Sequence, residues 1–356
     1  MRLRAPHLLL LLLAAVLPAG VPASKRAKPV LLLDKPYPVE ATIAQPGALL
    51  HWLDSIGGLS GPGMTGGKTR RAHTQDFEAA HGKPTGEDED ALRRFSRARV
   101  RLGDKDPAAS TALTLACFRA ATLDEALDAV AGRVPADDLA ELRATLQYFA
   151  PRYEKIWDGG RIPRAFLARA QRDRQGKAAA EFLAALVRFY AEPLPREGER
   201  PIAVLVPVRE GHGTHAQAVE NYLLIEVREH DELVDQLEPL VHENAHYLWN
   251  RLPAERVAAL HTLAQTLGGQ ALGLWGLLRE GLPTALGQGV AGQRFLGNAW
   301  TDRRPWYHVA EVDAYAKRLF PLVQQALEAR STLDEPLVRR MLTVDAPPAP
   351  ASPRSP

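Results

Sequence analysis

The spacing of apolar residues divides the chain into helical and extended segments. From residue 88 to residue 190, apolar side chains recur every three or four positions, which is the period of amphipathic helices. Two runs, residues 202–208 (IAVLVPV) and 221–227 (NYLLIEV), are almost continuously apolar, which is typical of short buried strands. After residue 231 the helical period returns and recurs to residue 342, with breaks at residues 252–253 and 268–269 and an expected loop at residues 287–292. The pattern predicts an α+β fold that is predominantly α-helical, with a small β-sheet.

Local signals mark the ends and weak points of several elements. Thr122, with Glu125 three positions later, predicts a capping box at the start of a helix. Residues 30–33 fit either a short strand or an extended arm, and the glycine-rich residues 57–67 fit a loop. Four helical stretches contain a proline, which predicts a kink or a break because proline lacks the backbone N–H; these are Pro151, Pro239, Pro283 and Pro321.

The two ends of the chain differ from the rest. Residues 1–23 combine basic residues, a short apolar run and small residues, and this pattern predicts a secretory signal peptide. An uncleaved amino-terminal anchor is the alternative. Residues 346–356 are proline-rich and are predicted to be disordered. Residues 24–345 contain no internal repeat and no linker, so we interpret them as a single α-rich domain. The protein is therefore predicted to be secreted or periplasmic, with no stable membrane span after signal cleavage.

Charge and cysteine content exclude some classes of protein. The net charge is only +2, and the arginines are scattered, so the charge gives no basis for nucleic-acid binding. Cys117 is the single cysteine, which rules out an intramolecular disulfide and predicts a buried, inert thiol. The abundance of alanine, arginine and leucine, with little lysine, is typical of bacterial proteins from GC-rich genomes.

One short motif carries the candidate chemistry. Residues 242–246 read HENAH, and residues four apart lie above one another on a helix, so His242 and His246 present their rings on one face. Two imidazoles on one face provide half of a tetrahedral Zn²⁺ site. Glu243 is turned about a quarter of the way round the helix, where it can reach a water molecule at the metal and act as a general base. The alternative is a helix with two half-buried histidines and no metal.

A catalytic zinc site needs a third protein ligand, and Glu280 is the best candidate. It lies in an otherwise apolar helical stretch, residues 272–286, where a buried carboxylate requires a partner. Glu311 and Asp313 are rival third ligands further along the chain. Asp313 could instead orient a ligand imidazole from behind.

The motif HENAH, followed by E-G-x-x-x-A at Glu280, Gly281 and Ala285, resembles the gluzincin branch of the zincin metallopeptidases. The resemblance covers residues 221–286 and implies a zincin-like core around residues 200–330. It also implies that His242, His246 and Glu280 bind Zn²⁺ and that Glu243 activates water. Thirty-three residues separate His246 from Glu280, more than in thermolysin-like or aminopeptidase-like members, so the subfamily stays open.

The resemblance implies an exported zinc metallopeptidase that hydrolyses a peptide or protein substrate. Tyr307, His308 and Tyr315 are candidate donors to the oxyanion, because they follow Glu280 where such groups often lie in this superfamily. Residues 221–227 are expected to form a wall of the cleft and, if they are an edge strand, to bind an extended peptide.

Two alternatives to this interpretation remain open. His212 and His215 lie in a glycine-containing loop (GHGTH), where a second metal site is possible but two exposed histidines are the more common situation. A catalytically inactive zincin-fold protein that binds a partner or acts as a scaffold in the cell envelope is the alternative function.

Overall fold

The computed structural model describes residues 28–59, 67–210, 215–302 and 304–344. The predicted signal peptide (residues 1–23), the tail (residues 346–356), His212 and most of the glycine-rich residues 57–67 lie outside these ranges. Within the described residues, five strands form one mixed sheet: β1 (Val30–Leu33), β2 (Val39–Thr42), β3 (Ile202–Pro207), β4 (Ala216–Val219) and β5 (Tyr222–Val227).

Helices account for most of the remaining described chain. They are α1 (Gln45–Ile56), α2 (Gly67–His81), α3 (Gly86–Lys105), α4 (Pro107–Arg119), α5 (Leu123–Ala129), α6 (Ala136–Trp157), α7 (Arg161–Ala170), α8 (Gly176–Phe189), α9 (Leu233–Arg251), α10 (Ala254–Leu267), α11 (Gly269–Thr284), α12 (Gly292–Leu296), α13 (Asn298–Asp302), α14 (Ala310–Glu328) and α15 (Glu335–Leu342). A π-helix, Ala285–Ala291, joins α11 to α12, and short 3₁₀ turns occupy Asp158–Gly160 and Glu197–Glu199. The predicted α+β class with predominant helix is confirmed.

The sheet has the order β1-β2-β3-β5-β4. Strands β2, β3 and β5 run parallel, while β1 and β4 pair antiparallel at the two edges. The two predicted strands are confirmed as β3 and β5, which pair with each other, and residues 30–33 form a strand. Strand β4 was not predicted, because its partly exposed AQAV sequence carries no strong β-type signal.

The sheet separates two apolar cores. Along β5 the side chains alternate: Leu223, Ile225 and Val227 face the helices that follow α6. Tyr222 and Leu224 face the opposite side, which is covered by α1 to α6. Strands β3 and β5 are buried on both faces, which explains their continuous apolar sequence.

Several local predictions can be compared directly with the structure. The capping box of Thr122 and Glu125 is confirmed at the start of α5. The break expected at Pro151 is wrong, because α6 continues to Trp157. The prolines of α9, α11 and α14 also lie inside continuous helices. Cys117 is fully buried, as predicted, and burial raises the pKa of its thiol to about 12. In the described part of the chain, we find no helix whose length and apolar character would suit a membrane crossing.

Candidate metal centre

Helix α9 carries the HENAH motif and brings its two histidines together. His242 is buried and His246 is partly buried, and their Nε2 atoms lie 3.1 Å apart. The helix packs against the π-helix, against β4 and β5, and against α11. Because the rings are four residues apart on a helix that is held on several sides, their separation is set by the backbone rather than by flexible side chains.

Helix α11 supplies the third donor, Glu280. Its Oε2 atom lies 3.4 Å from Nε2 of His246 and 3.7 Å from Nε2 of His242. A tetrahedral Zn²⁺ shell with bonds of about 2.0–2.1 Å has edges of about 3.3 Å, so the three donor atoms form a triangle of nearly the required size. The Glu280 side chain is 42 % exposed, so solvent reaches the site at this donor.

The close approach of the π-helix to α9 depends on a glycine. A Cβ atom at Gly287 would lie 2.7 Å from the carbonyl oxygen of Glu238 and 3.0 Å from Cβ of His242. These neighbours belong to the α9 backbone or are attached directly to it, so they cannot move aside easily. Gly287 therefore allows the π-helix to lie directly on the turn of α9 that precedes the motif.

The π-helix also places a group behind the first histidine. Oε1 of Gln288 lies 3.1 Å from Nδ1 of His242, on the side of the ring away from Glu280. An acceptor at this position holds the proton on Nδ1 and leaves the Nε2 lone pair free for a metal. Gln288 was not predicted from the sequence. A π-helical turn beside a candidate site could have indicated this residue, but such a turn is not visible in the sequence.

Tyr307 contacts two members of the triangle, Glu280 and His242. Its hydroxyl donates a hydrogen bond to Oε2 of Glu280 at 3.1 Å, and its ring lies parallel to that of His242. Burial, followed by the charge of Glu280, raises the pKa of Tyr307 well above its usual value, so the phenol stays protonated. Asp313 accepts hydrogen bonds from the backbone N–H groups of Trp306 and Tyr307 and thereby fixes this segment.

Glu243 lies beside the triangle without joining it. Its Oε1 atom is 4.0 Å from Nε2 of His242, and the backbone N–H of Ala218 in β4 faces its carboxylate and tends to lower its pKa. Burial raises the pKa of Glu243 above its usual value, against the lowering effect of the histidines. A carboxylate with a raised pKa next to a candidate cation site is suited to take up a proton.

The charges around the triangle favour a cation. Burial tends to raise the pKa of Glu280, but the polar contacts with His242 and His246 outweigh it and hold the pKa well below its usual range. Burial tends to lower the pKa of His242, but the interactions with Glu280 and Glu243 outweigh burial, so the pKa is raised. One carboxylate and two imidazoles thus form the donor set, with Glu243 beside it, and such a set suits a divalent transition metal.

Other residues singled out in the sequence lie elsewhere. Tyr315 is fully buried and its hydroxyl donates to the carbonyl oxygen of Met341, so its assignment as an oxyanion donor is wrong. His308 is exposed and its ring lies against Tyr307. Glu311 is exposed at the start of α14 and does not belong to the donor cluster. Asp313 fixes the backbone at Tyr307 rather than a ligand imidazole.

Two expectations about the surroundings are also corrected. Residues 222–227 form β5, which lies between β3 and β4, so they are not an edge strand; the edge is β4. His215 is not an exposed loop histidine, because burial lowers the pKa of its ring to about 4 and its Nε2 atom is buried.

Comparisons with known proteins identify no relative. No protein-family model, no curated protein and no solved structure matches this chain. The functional argument therefore rests on the site itself.

Proposed function

We propose that the protein is an exported zinc metallopeptidase with a gluzincin-like site. The observation that carries the proposal is the combination of a three-donor triangle, His242, His246 and Glu280, with a fourth group, Glu243, that stays outside it. A site that held zinc only for structural reasons has no use for an uncoordinated carboxylate at this position.

The donor atoms fit a zinc ion on two counts. The sides of the triangle are close to those of a tetrahedral shell, and the proton on Nδ1 of His242 is held by Gln288. Zinc bound there would supply Lewis acidity, which lowers the pKa of water toward neutrality and polarises a carbonyl group. The remaining catalytic tasks fall to the side chains of this chain.

Glu243 takes the proton of the attacking water in this proposal and returns it to the leaving amine. Its raised pKa favours the first transfer, because the carboxylate accepts a proton more readily than an exposed one does. The backbone N–H of Ala218 in β4 faces this carboxylate, so the base lies beside that strand.

Tyr307 is the best-placed donor for the developing oxyanion. Its hydroxyl lies next to Glu280, at the edge of the triangle, and its raised pKa keeps it a donor throughout the neutral range. A hydrogen-bond donor of this kind typically contributes about 10²–10³ to kcat.

Strand β4 offers a place for an extended peptide. In the β4–β5 ladder the carbonyl oxygen of His215 accepts from the N–H of Glu226, so the backbone groups of Ala216 and Ala218 point away from β5 in an antiparallel pair. The approach of the Ala218 N–H to the Glu243 carboxylate agrees with that direction. A substrate strand added at this edge would lie beside Glu243, which favours a peptide substrate over other carbonyl compounds.

The decisive measurement is the zinc content of the purified protein. Wild type should hold zinc, and one ion per chain should be lost in Glu280→Ala but retained in Glu311→Ala, which is the matched control. A peptide library should then be cleaved by wild type, while Glu243→Gln should retain its zinc and lose about 10²–10⁴ in rate. Zinc binding without cleavage of any peptide would favour the alternative function, a binding or scaffold protein of the cell envelope.

A further inference from the structure

A second group of metal-binding residues lies around Glu226. This residue is in the interior of β5 and has no exposed surface. It shares a face of the strand with Tyr222 and Leu224, so its carboxylate points toward α1 to α6 and away from the core that contains α9. Burying a carboxylate is costly unless nearby groups compensate its charge.

Two histidines from different helices converge on one oxygen of this carboxylate. Nε2 of His51, in α1, and Nε2 of His73, in α2, each lie 2.8 Å from Oε1 of Glu226. The side chains are almost fully buried, with exposed fractions of 7 % for His51 and 1 % for His73. The other oxygen, Oε2, accepts a hydrogen bond from the backbone N–H of His215 at 2.7 Å.

The donor set and its dimensions suit a metal ion. Two imidazole nitrogens and a carboxylate oxygen are ligands that first-row transition metals share. The 2.8 Å separations are close to the edge of about 3.0 Å between neighbouring ligands in an octahedral shell with bonds of about 2.1 Å. They are shorter than the edge of about 3.3 Å in a tetrahedral shell, so a Zn²⁺ ion would require a small outward rotation of the side chains.

A third imidazole next to the group is incompletely satisfied. The ring of His215 lies parallel to that of His51, with 5.5 Å between their centroids. Its Nε2 atom is buried and has no hydrogen-bond partner among the described residues. A buried polar atom without a partner beside a convergent donor set is an independent indication that a bound group belongs there.

We propose that His51, His73 and Glu226 form a second, buried site for a divalent transition-metal ion. The ion has a structural role: it ties α1 and α2, which cover one face of the sheet, to the central strand β5. The site shares no ligand with the triangle of His242, His246 and Glu280, and its carboxylate lies on the opposite face of the sheet. The inference therefore does not depend on peptidase activity.

Metal content separates the two sites. Full-length protein saturated with Zn²⁺ or Co²⁺ and then desalted should hold two ions per chain in wild type and one in His246→Ala. Glu226→Gln should also hold one ion, and the double variant none. His261→Ala, which changes an exposed histidine outside both clusters, is the matched control and should hold two.

The His246→Ala protein keeps the test valid even if substitutions of Glu226 prevent folding. Zn²⁺ bound at the second site should raise the thermal unfolding midpoint of the His246→Ala protein. This rise should disappear in the double variant that combines His246→Ala with His73→Ala. Loss of all metal in His246→Ala would overturn the proposal. It would show that His51, His73 and Glu226 form only a hydrogen-bonded ion-pair cluster. Metal that is lost in Glu226→Gln but not in His246→Ala would support the second site and contradict the proposed catalytic one.

Discussion

Gln288 fixes the orientation of His242: its Oε1 atom lies 3.1 Å from Nδ1 of the ring, while Nε2 points at Glu280. The two nitrogens of the ring thus have separate partners. Gln288 reaches this position because it lies in a π-helix, whose wider turn packs directly on α9 at Gly287.

Replacing Gln288 should weaken metal binding without removing a ligand. Gln288→Ala takes away the acceptor that holds the proton on Nδ1, so the dissociation constant for Zn²⁺ should rise about 10–100-fold. Competition with a chromophoric chelator measures this directly. Gln293→Ala, which removes an amide of α12 that is paired with Asn298 of α13, is the control and should leave the affinity unchanged.

Tyr307→Phe should separate catalysis from metal binding. The phenylalanine ring keeps the stacking on His242 but cannot donate to an oxyanion, so kcat should fall about 10²–10³-fold. KM and zinc content should change little. Loss of zinc in this variant would show instead that the hydroxyl acts by holding Glu280 in place.

A matched pair of glycine substitutions tests the packing beneath the motif. Gly287→Ala places a Cβ atom against α9 and should lower the free energy of unfolding by about 1–3 kcal/mol. Gly276→Ala, in α11, meets no atom within 4 Å and should raise it by about 0.4–1 kcal/mol. Urea unfolding with and without Zn²⁺ measures both effects. Equal effects of the two substitutions would contradict the close packing at Gly287.

The lowered pKa of Asp88 predicts that the free energy of unfolding changes with pH, with or without a bound metal. Burial tends to raise its pKa, but hydrogen bonds from Thr85 and Tyr148 and the charge of Arg152 outweigh it and lower the pKa. The carboxylate is favoured in the folded state, so its contribution is present above the unfolded pKa of about 4 and is lost as the pH falls through the lower folded value.

Asp88→Asn should therefore lower the free energy of unfolding at pH 7 by about 1–2 kcal/mol, and the difference from wild type should shrink below about pH 4. Asp104→Asn, an exposed position in the same helix, should show no such difference. Urea unfolding at a series of pH values provides the measurement. A difference for Asp88→Asn that stays constant down to pH 2 would rule out the charge as its cause.

The sequence was most informative where chemistry is local. HENAH lies within one helix, so the positions of His242, Glu243 and His246 follow from helical periodicity alone. Glu280 could be selected because a carboxylate in an apolar helix needs a partner, and the structure brings it to the two histidines. The strands at residues 202–208 and 221–227 could be recognised because both faces are buried.

Features created by tertiary packing could not be predicted. Strand β4 forms because β5 offers it a partner, not because AQAV prefers an extended conformation. Glu226 looked like a polar residue in a strand, and nothing in the sequence links it to His51 and His73, which lie more than a hundred residues away. Pro151 was expected to break a helix, but contacts along the rest of α6 outweigh the lost hydrogen bond.

The order of the strands has a consequence for how the chain folds during synthesis. Strand β2 pairs with β3, and Glu40 is matched with Ile202, so the pairing joins segments separated by all of α1 to α8. Helices α1 to α6 cover a face of the sheet that is built mainly from β3 and β5, which leave the ribosome after them. Until those strands emerge, the apolar surfaces of the first helices have no sheet to cover. The native core can therefore form only after β2 and β3, which are far apart in the sequence, have paired.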